Sequence, residues 1–428
     1  MSNAETNSLI EELSWRGLIA QSSDLERLSA HLGEPRTLYC GFDPTADSLH
    51  IGSLVPLLTL RRFQEAGHRP ILVLGGATGL IGDPSFRDDE RTLNSESVVA
   101  QWVASLRRQV ERFLAFDGKN AAIIANNLDW TEPMSVISFL RDIGKHFSVN
   151  AMIQRDSVRT RLEREDQGIS YTEFSYMLLQ GMDYLELARR YDCSLQIGGR
   201  DQWGNIVSGV DLVRRNLARE AFAMTLPLVT KADGTKFGKT ASGAVWIDAL
   251  KTSPYRFYQF WLNAADADVE NYLKLFTFLS RDEVDQLLTD MAQAPQRRIA
   301  QTRLAQEVTR IVHGEDNLES ARRITQAIFG GDLAALNEAD FAQLTLDGLE
   351  GSTVASGQGL LTVMAEAGLA KSVGEARKLV QGGGVRINGE VVKDHAASID
   401  FKQGFFGRYL LLRRGKKVHH LLINGDAE

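Results

Sequence analysis

Cysteine is nearly absent. Cys40 and Cys193 are the only two in 428 residues, and they form neither a CxxC pair nor a Cys/His spacing. That excludes a disulfide framework, gives no zinc pattern, and fits a reduced, cytoplasmic setting with no metal held by the protein. Long apolar runs are missing too. Nothing approaches the ~20 residues that span a bilayer, and no apolar stretch beside positive charge marks a secretory signal. A glycine-rich Walker loop is absent, which excludes that class of NTPase. There is no internal repeat and no low-complexity tract. What remains is ordinary for a globular protein, with 43% hydrophobic and 24% charged residues. The length is too great for one core, so about two or three domains are expected.

Net charge is −7, but it is unevenly spread. From Lys371 to Glu428 there are 11 Lys/Arg against 6 Asp/Glu; the remainder holds 37 against 49. An acidic body with a basic terminal module suits a polyanionic partner, although a merely solvated basic surface has the same composition.

The first half alternates short apolar runs with helical patterns. Thr37–Phe42, Pro70–Leu74, Ala121–Ala125 and Ser194–Ile197 read as strands, and Leu54–Ala66, Ser97–Phe113 and Met134–Ile143 as helices. Strands separated by helices predict a parallel α/β sheet, whose ligands bind at the carboxyl ends of its strands. From Ser253 to Phe329 the pattern is helical. Asp347–Gly359 collects Gly, Ser and Thr and reads as a linker. Beyond it, Val385-Arg386-Ile387 and Glu390-Val391-Val392 flank Asn388-Gly389, a two-residue hairpin signal.

Three constellations carry chemistry. The first runs from Tyr39 to Ser53, with Asp43-Pro44-Thr45 at a turn and His50-Ile51-Gly52-Ser53 entering a helix. Gly41 and Gly52 let a flat ring approach the backbone, and a helix N-terminus offers N–H groups to phosphate. A capped helix with an incidental histidine would look the same. The second is Lys236-Phe237-Gly238-Lys239-Thr240 after Asp233-Gly234, a basic loop able to close on polyphosphate, or else a solvated loop. Together they suit attack at an α-phosphate, which needs positioning and charge stabilisation more than acid–base groups.

The third is a helix face. Tyr176, Gln180 and Asp183 are spaced four and three apart amid Phe174, Met177, Leu178 and Leu179. Polar groups so placed have either a structural partner or a ligand. With Tyr39, Asp183 can bind a substrate hydroxyl, and an analogue lacking that hydroxyl leaves buried polar groups unpaired.

These segments resemble the class I aminoacyl-tRNA synthetases, above all the bacterial tyrosyl enzymes, over essentially the whole chain. His50-Ile51-Gly52-Ser53 resembles the family's HIGH motif, and Lys236-Phe237-Gly238-Lys239-Thr240 its lysine-loop motif. Segments 39–45, 76–85 and 198–205 are also similar. The resemblance implies a Rossmann-like parallel-sheet catalytic domain over 1–232, then the lysine loop and an α-helical domain over 233–345. A linker over 346–358 and a small C-terminal α+β RNA-binding domain over 359–428 follow.

It implies that Tyr39 and Asp183 hold the hydroxyl of L-tyrosine, and that Asp83, Tyr176 and Gln180 bind its ammonium. ATP, arriving with Mg²⁺, would meet Cys40, Gly41, Asp43, Gly52, Ser53, Gly199, Asp201, Gln202 and Lys239. Thr45, His50, Lys236 and Lys239 would stabilise the transition state of adenylate formation.

For tRNA(Tyr) the resemblance implies contacts from Arg377, Lys378, Arg386, Arg413, Arg414, Lys416 and Lys417. It also implies a homodimer, with Lys145–Asn150 in the interface region. Two departures stand out: Ser53 replaces a second histidine, and Arg200 stands where many relatives carry a smaller residue. Another class I synthetase such as a tryptophanyl enzyme, or a related adenylate-forming ligase, and an RNA-binding protein whose catalytic half has become a scaffold, are the competing readings.

Overall fold

The computed structural model describes residues 3–85, 93–163, 168–235, 237–240, 243–330, 332–415 and 418–426. The chain divides into two compact units: Met1–Ile247 with Ala265–Gln293, and Asp248–Ala264 with Ala294–Glu428.

The first unit is built on six strands: β1 (Gln21–Ser22), β2 (Thr37–Phe42), β3 (Arg69–Leu74), β4 (Ile123–Asn126), β5 (Cys193–Gly199) and β6 (Phe222–Leu226), in the order β1-β6-β5-β2-β3-β4. All neighbours are parallel except β1 on β6. Ile71, Leu72, Val73 and Leu74 are all buried, as a strand covered on both faces requires. The α/β expectation therefore holds, and the four expected strands are present with ends shifted by a residue or two. β6 went unread. Its sequence Phe-Ala-Met-Thr-Leu is buried throughout and has a single β-branched residue, so periodicity does not separate it from a buried helix.

Because β2 to β6 run in one direction, Phe42, Leu74, Asn126, Gly199 and Leu226 all end at one edge of the sheet. The helices α1 (Leu54–Glu65), α2 (Tyr171–Tyr191) and α3 (Trp203–Leu217) pack on it. Ser170 caps α2 by accepting from the Glu173 N–H, and Asp192 ends it in the left-handed conformation. A two-stranded ribbon, β7 (Lys239–Thr240) with β8 (Gly243–Ala244), follows β6, and helix α4 (Asp266–Phe276) completes the part of this unit used below.

The second unit contains helices Pro254–Leu262, Ile299–His313 and Glu315–Ile328, which pack on one another. Ser253 caps the first by accepting from the Arg256 N–H, with Pro254 in its first turn. Its sheet has the order β11-β10-β12-β13-β9, from β9 (Gly351–Val354), β10 (Val385–Ile387), β11 (Glu390–Val391), β12 (Tyr409–Arg414) and β13 (Val418–Asn424). The hairpin signal is realised: Asn388 and Gly389 both have positive φ, 49° and 90°, as a type I′ turn needs. β9 lies inside the stretch 346–358 read as a linker. It pairs parallel to β13, a long-range partner that local composition does not reveal.

Candidate active site

A cavity of about 390 Å³ opens at the carboxyl edge of the first unit's sheet. Its lining includes Tyr39, Cys40, Gly41, Asp43, Thr45, His50, Gly52, Ser53, Asp83, Tyr176, Gln180, Asp183, Gly199, Asp201 and Gln202. Residues separated in sequence by more than a hundred positions thus meet in one pocket. Lys236 lies outside the described residues. Lys239 lies in β7, with its backbone paired to Ala244.

Asp183 is buried on α2. Its two oxygens accept from the Trp130 indole N–H at 2.8 Å and the Asn127 side-chain amide at 3.0 Å. Burial pushes its carboxyl up to about 7, against the pull of those two hydrogen bonds. The Tyr39 hydroxyl is buried with no protein partner. Burial, and after it the charge of Asp183, raises its pKa well above the ordinary value, so it stays a phenol. Its ring packs edge-on against Tyr184 with centroids 5.2 Å apart. Gln180 Oε1 and Gln196 Oε1, also in this cavity, are likewise buried without partners. Unsatisfied buried polar atoms are rare, and three lining one cavity with a carboxylate describe a pocket complementary to a polar ligand.

A chain of hydrogen bonds leads on from Asp183. Asn127 donates to Thr78 Oγ1 at 2.9 Å, Thr78 donates to Asp43 at 2.6 Å, and the Tyr176 hydroxyl donates to the other Asp43 oxygen at 2.7 Å. Asn127 Oδ1 in turn accepts from the Ala77 N–H at 2.7 Å, which fixes the amide's orientation. A methyl on Gly75 would stand 2.1 Å from Asp43 Oδ1 and 2.5 Å from Thr78 Oγ1, so only glycine leaves room for this network. Gln202 donates to Asp83 at 2.6 Å and to Asp201 at 2.9 Å, joining the residues expected at the two ligands' ends.

Asn127, Trp130 and Gln196 were not named as site residues from sequence. Asn127 directly follows β4, where a parallel sheet presents its ligands, and that position was the available signal. Trp130 sits in a short helix, Leu128–Thr131, and had none.

His50 is exposed at the rim and caps the turn Ile51–Ser53 by accepting from the Gly52 N–H at 3.0 Å through Nδ1. In the neutral ring that acceptance puts the proton on Nε2, a donor. Desolvation by its surroundings lowers its pKa, which favours this neutral form. Gly41 bears no contact within 4 Å of where a methyl would stand and lines the cavity, so the space beside it is open. Cys40 donates to the Gly41 carbonyl at 3.7 Å, and burial pushes its thiol up to about 12, so it is not a nucleophile.

The first two constellations are joined through the backbone by way of Val245, whose N–H donates to Gly238 O at 3.0 Å. Ile51 N–H donates to Val245 O at 3.0 Å, Ile247 N–H to Leu49 O at 3.0 Å, and His50 and Trp246 form the antiparallel bridge between them. Before the lysines, Asp233 accepts from the Thr235 N–H at 2.8 Å and its hydroxyl at 2.6 Å, with Gly234 at φ 79°.

In the second unit, Arg377 and Lys378 are exposed on the helix Val373–Gln381. Arg386 pairs with Arg413 and Arg413 with His419 across three strands, so these side chains share one sheet face. Arg414 points to the opposite face and donates to the Leu369 carbonyl at 2.8 Å. Lys416 and Lys417 lie outside the described residues. Among the described residues, no helix is long and apolar enough to cross a membrane.

Comparison with known proteins fits this geometry. Residues 31–330 match the family model of class I tRNA synthetases (W and Y), and residues 340–422 match the tyrosine–tRNA ligase SYY-like C-terminal domain. The chain is 56% identical to the tyrosine–tRNA ligase of Laribacter hongkongensis, covering 97% of this chain and 98% of that protein. It is 55% identical to that of Aliivibrio fischeri, covering 98% and 99%. A C-terminally truncated mitochondrial tyrosyl-tRNA synthetase of Aspergillus nidulans superposes with a TM-score of 0.69 at 30% identity, over 76% of this chain and 97% of that one. A tryptophanyl-tRNA synthetase of Encephalitozoon cuniculi shares the fold at 12% identity with a TM-score of 0.54, over 74% of this chain and 90% of that one, so the fold alone does not choose between amino acids. The chain belongs to the class I tRNA synthetases, in the branch of the tyrosine–tRNA ligases.

Proposed function

We propose that the chain activates L-tyrosine with ATP and transfers it to the 3′ end of tRNA(Tyr). The observation that carries the choice of tyrosine is the unpartnered Tyr39 hydroxyl in the same buried pocket as Asp183. A phenol completes both: it donates to the carboxylate and exchanges a hydrogen bond with Tyr39. An indole has a donor only and leaves the second group unpaired. Asp83, Tyr176 and Gln180 hold the ammonium, with the unsatisfied Gln180 oxygen as its acceptor.

ATP enters with its Mg²⁺ as substrate. Cys40, Gly41, Gly199 and Asp201 take the ribose side. Asp43, Gly52, Ser53 and Gln202 lie toward the reacting groups. The tyrosine carboxylate attacks the α-phosphorus, forming the mixed anhydride as the bond to pyrophosphate breaks. Thr45, neutral His50, Lys236 and Lys239 stabilise the charge gathering on the phosphates. A terminal ribose hydroxyl of tRNA then attacks the tyrosyl carbonyl and AMP leaves. Both polyphosphate and tRNA are cytoplasmic solutes, and the reading puts the chain there.

Arg377, Lys378, Arg386, Arg413, Lys416 and Lys417 serve the tRNA, with Arg386 and Arg413 side by side on one sheet face, and Arg414 supports them from the opposite face, where it holds the Leu369 carbonyl. A homodimer is part of this reading. Val136, Ile137, Leu140 and Val149 are large apolar residues left exposed on the segment that includes Lys145–Asn150. Analytical ultracentrifugation reads it directly, and a monomer at micromolar concentration contradicts it.

The experiment for the activity is isotopic exchange of pyrophosphate into ATP with tyrosine, tryptophan or phenylalanine. Tyrosine is expected to drive it. Fastest exchange with tryptophan refutes the choice of amino acid, and no exchange with any refutes the activity.

A further inference from the structure

The lysine loop has to be held where it can meet the nucleotide, and its support runs from Phe237, which lines the cavity, out to α4. Ala232, just before the loop, donates its N–H to Asp268 at 2.6 Å. Phe237, inside it, stacks on Phe276 with centroids 5.2 Å apart and tilts against Tyr272 at 5.1 Å. Asp268, Tyr272 and Phe276 are spaced four apart on α4, so one stripe of that helix carries the loop.

The carboxyl end of α4 is in turn gripped by two buried arginines. Arg16 and Arg62 are 2% and 5% exposed, unusual for a residue type that mostly stays in solvent. Arg16 donates to the carbonyls of Lys274 at 2.9 Å, Thr277 at 3.1 Å and Leu279 at 2.6 Å. Arg62 donates to the same Thr277 carbonyl at 2.5 Å and lies 4.4 Å over the Phe278 ring. The helix ends there with no glycine and an extended Thr277; the Thr277 hydroxyl donates to the Leu273 carbonyl at 2.6 Å, Arg16 donates to that of Lys274, and the other arginine bonds hold the chain just past the helix end. Arg62 belongs to α1, the helix that starts one residue after Ser53.

We infer that Arg62, with Arg16, is a positioning residue for adenylate formation: it locks α4 to α1 and thereby sets the lysine loop against the His50 segment. Two burials of a guanidinium are costly for a helix stop that one glycine supplies, a cost that the Arg16–Glu12 ion pair at 2.6 Å offsets in part. Arg16's planar fork, on three carbonyls, and Arg62's bond to the shared Thr277 carbonyl together pin the chain at the end of α4 to α1, as a glycine stop does not. The inference rests on the reading above that the loop's lysines stabilise the departing pyrophosphate.

The test is a double-mutant cycle on the full chain, comparing wild type, Arg62→Met, Phe237→Ala and the double variant. Tyrosine binding at equilibrium and tyrosine-dependent pyrophosphate exchange are measured on each. Arg62→Met is expected to bind tyrosine within about twofold of wild type and to lose exchange by about tenfold to a hundredfold, because a displacement near 1 Å is enough for that. In the Phe237→Ala background the further loss should shrink to about twofold, since α4 then keeps only the Ala232–Asp268 bond to the segment before the loop. Arg62→Lys, which keeps the cation and loses the fork, should fall between, and it replaces Arg62→Met in the cycle if that variant does not fold. Equal losses in both backgrounds, or tyrosine binding lost in parallel with exchange, overturn the inference and leave a helix stop. Absence of exchange in wild type instead overturns the activity itself, so the two failures are distinct.

Discussion

Trp130 donates its indole N–H to Asp183 at 2.8 Å, and that bond, with the one from Asn127, aims a buried carboxylate into a cavity. A carboxyl pushed up to about 7 binds its proton more tightly folded than unfolded, where its ordinary value is 3.8. Its contribution to stability is therefore full below that ordinary value and is lost as pH rises through about 7. Between about pH 5 and about pH 8 the wild type should lose on the order of 3 kcal/mol relative to Asp183→Asn, read by chemical denaturation at both pH values. Parallel pH profiles for the two proteins contradict this. Tyrosine affinity should move the other way in the wild type, strengthening as the carboxylate forms.

Gly41 and Gly75 should respond oppositely to alanine. The methyl at Gly41 would meet nothing and stand in the open cavity, so Gly41→Ala should keep stability within about 0.5 kcal/mol. It should raise the KM for ATP about tenfold, with tyrosine binding unchanged. The methyl at Gly75 would collide with Asp43 and Thr78, so Gly75→Ala should cost about 1–3 kcal/mol by thermal denaturation and weaken tyrosine binding. Equal behaviour of the two variants is the contrary result.

Ser53 makes no capping hydrogen bond and lines the cavity. Installing a second histidine, Ser53→His, should change pyrophosphate exchange by less than about 100-fold, roughly 2.7 kcal/mol, because His50 remains. A larger change assigns Ser53 a heavier role than its geometry supports.

The pocket was legible where chemistry lies on one local segment. The helix face of Tyr176, Gln180 and Asp183 follows from 3.6-residue periodicity, and the turn at Asn388-Gly389 from the backbone freedom those residues have. It was not legible where a side chain acts through distant partners. The sequence around Arg62 gives no local sign of its burial, because its partners Thr277 and Phe278 arrive from another part of the chain. Trp130 reads as core for the same reason, and β9 is a strand only because β13 lies beside it. Lys236 was named from its motif and lies outside the described residues.

On the basic face, Arg386 and Arg413 stand opposite each other on adjacent strands. Replacing both with alanine should leave pyrophosphate exchange at the wild-type rate. Charging of tRNA should weaken, and the slope of log affinity against log salt should fall by roughly one per arginine. An unchanged salt slope in a filter-binding titration removes these residues from the RNA contact.

The most direct measurement is the ratio of pyrophosphate-exchange rates with tyrosine and with phenylalanine, taken in wild type and in Asp183→Asn. A pocket that recognises a phenol through Asp183 and Tyr39 predicts a strong preference for tyrosine that collapses by about 100-fold or more in the variant. A wild type indifferent to the hydroxyl, or a preference that survives the substitution, contradicts the account.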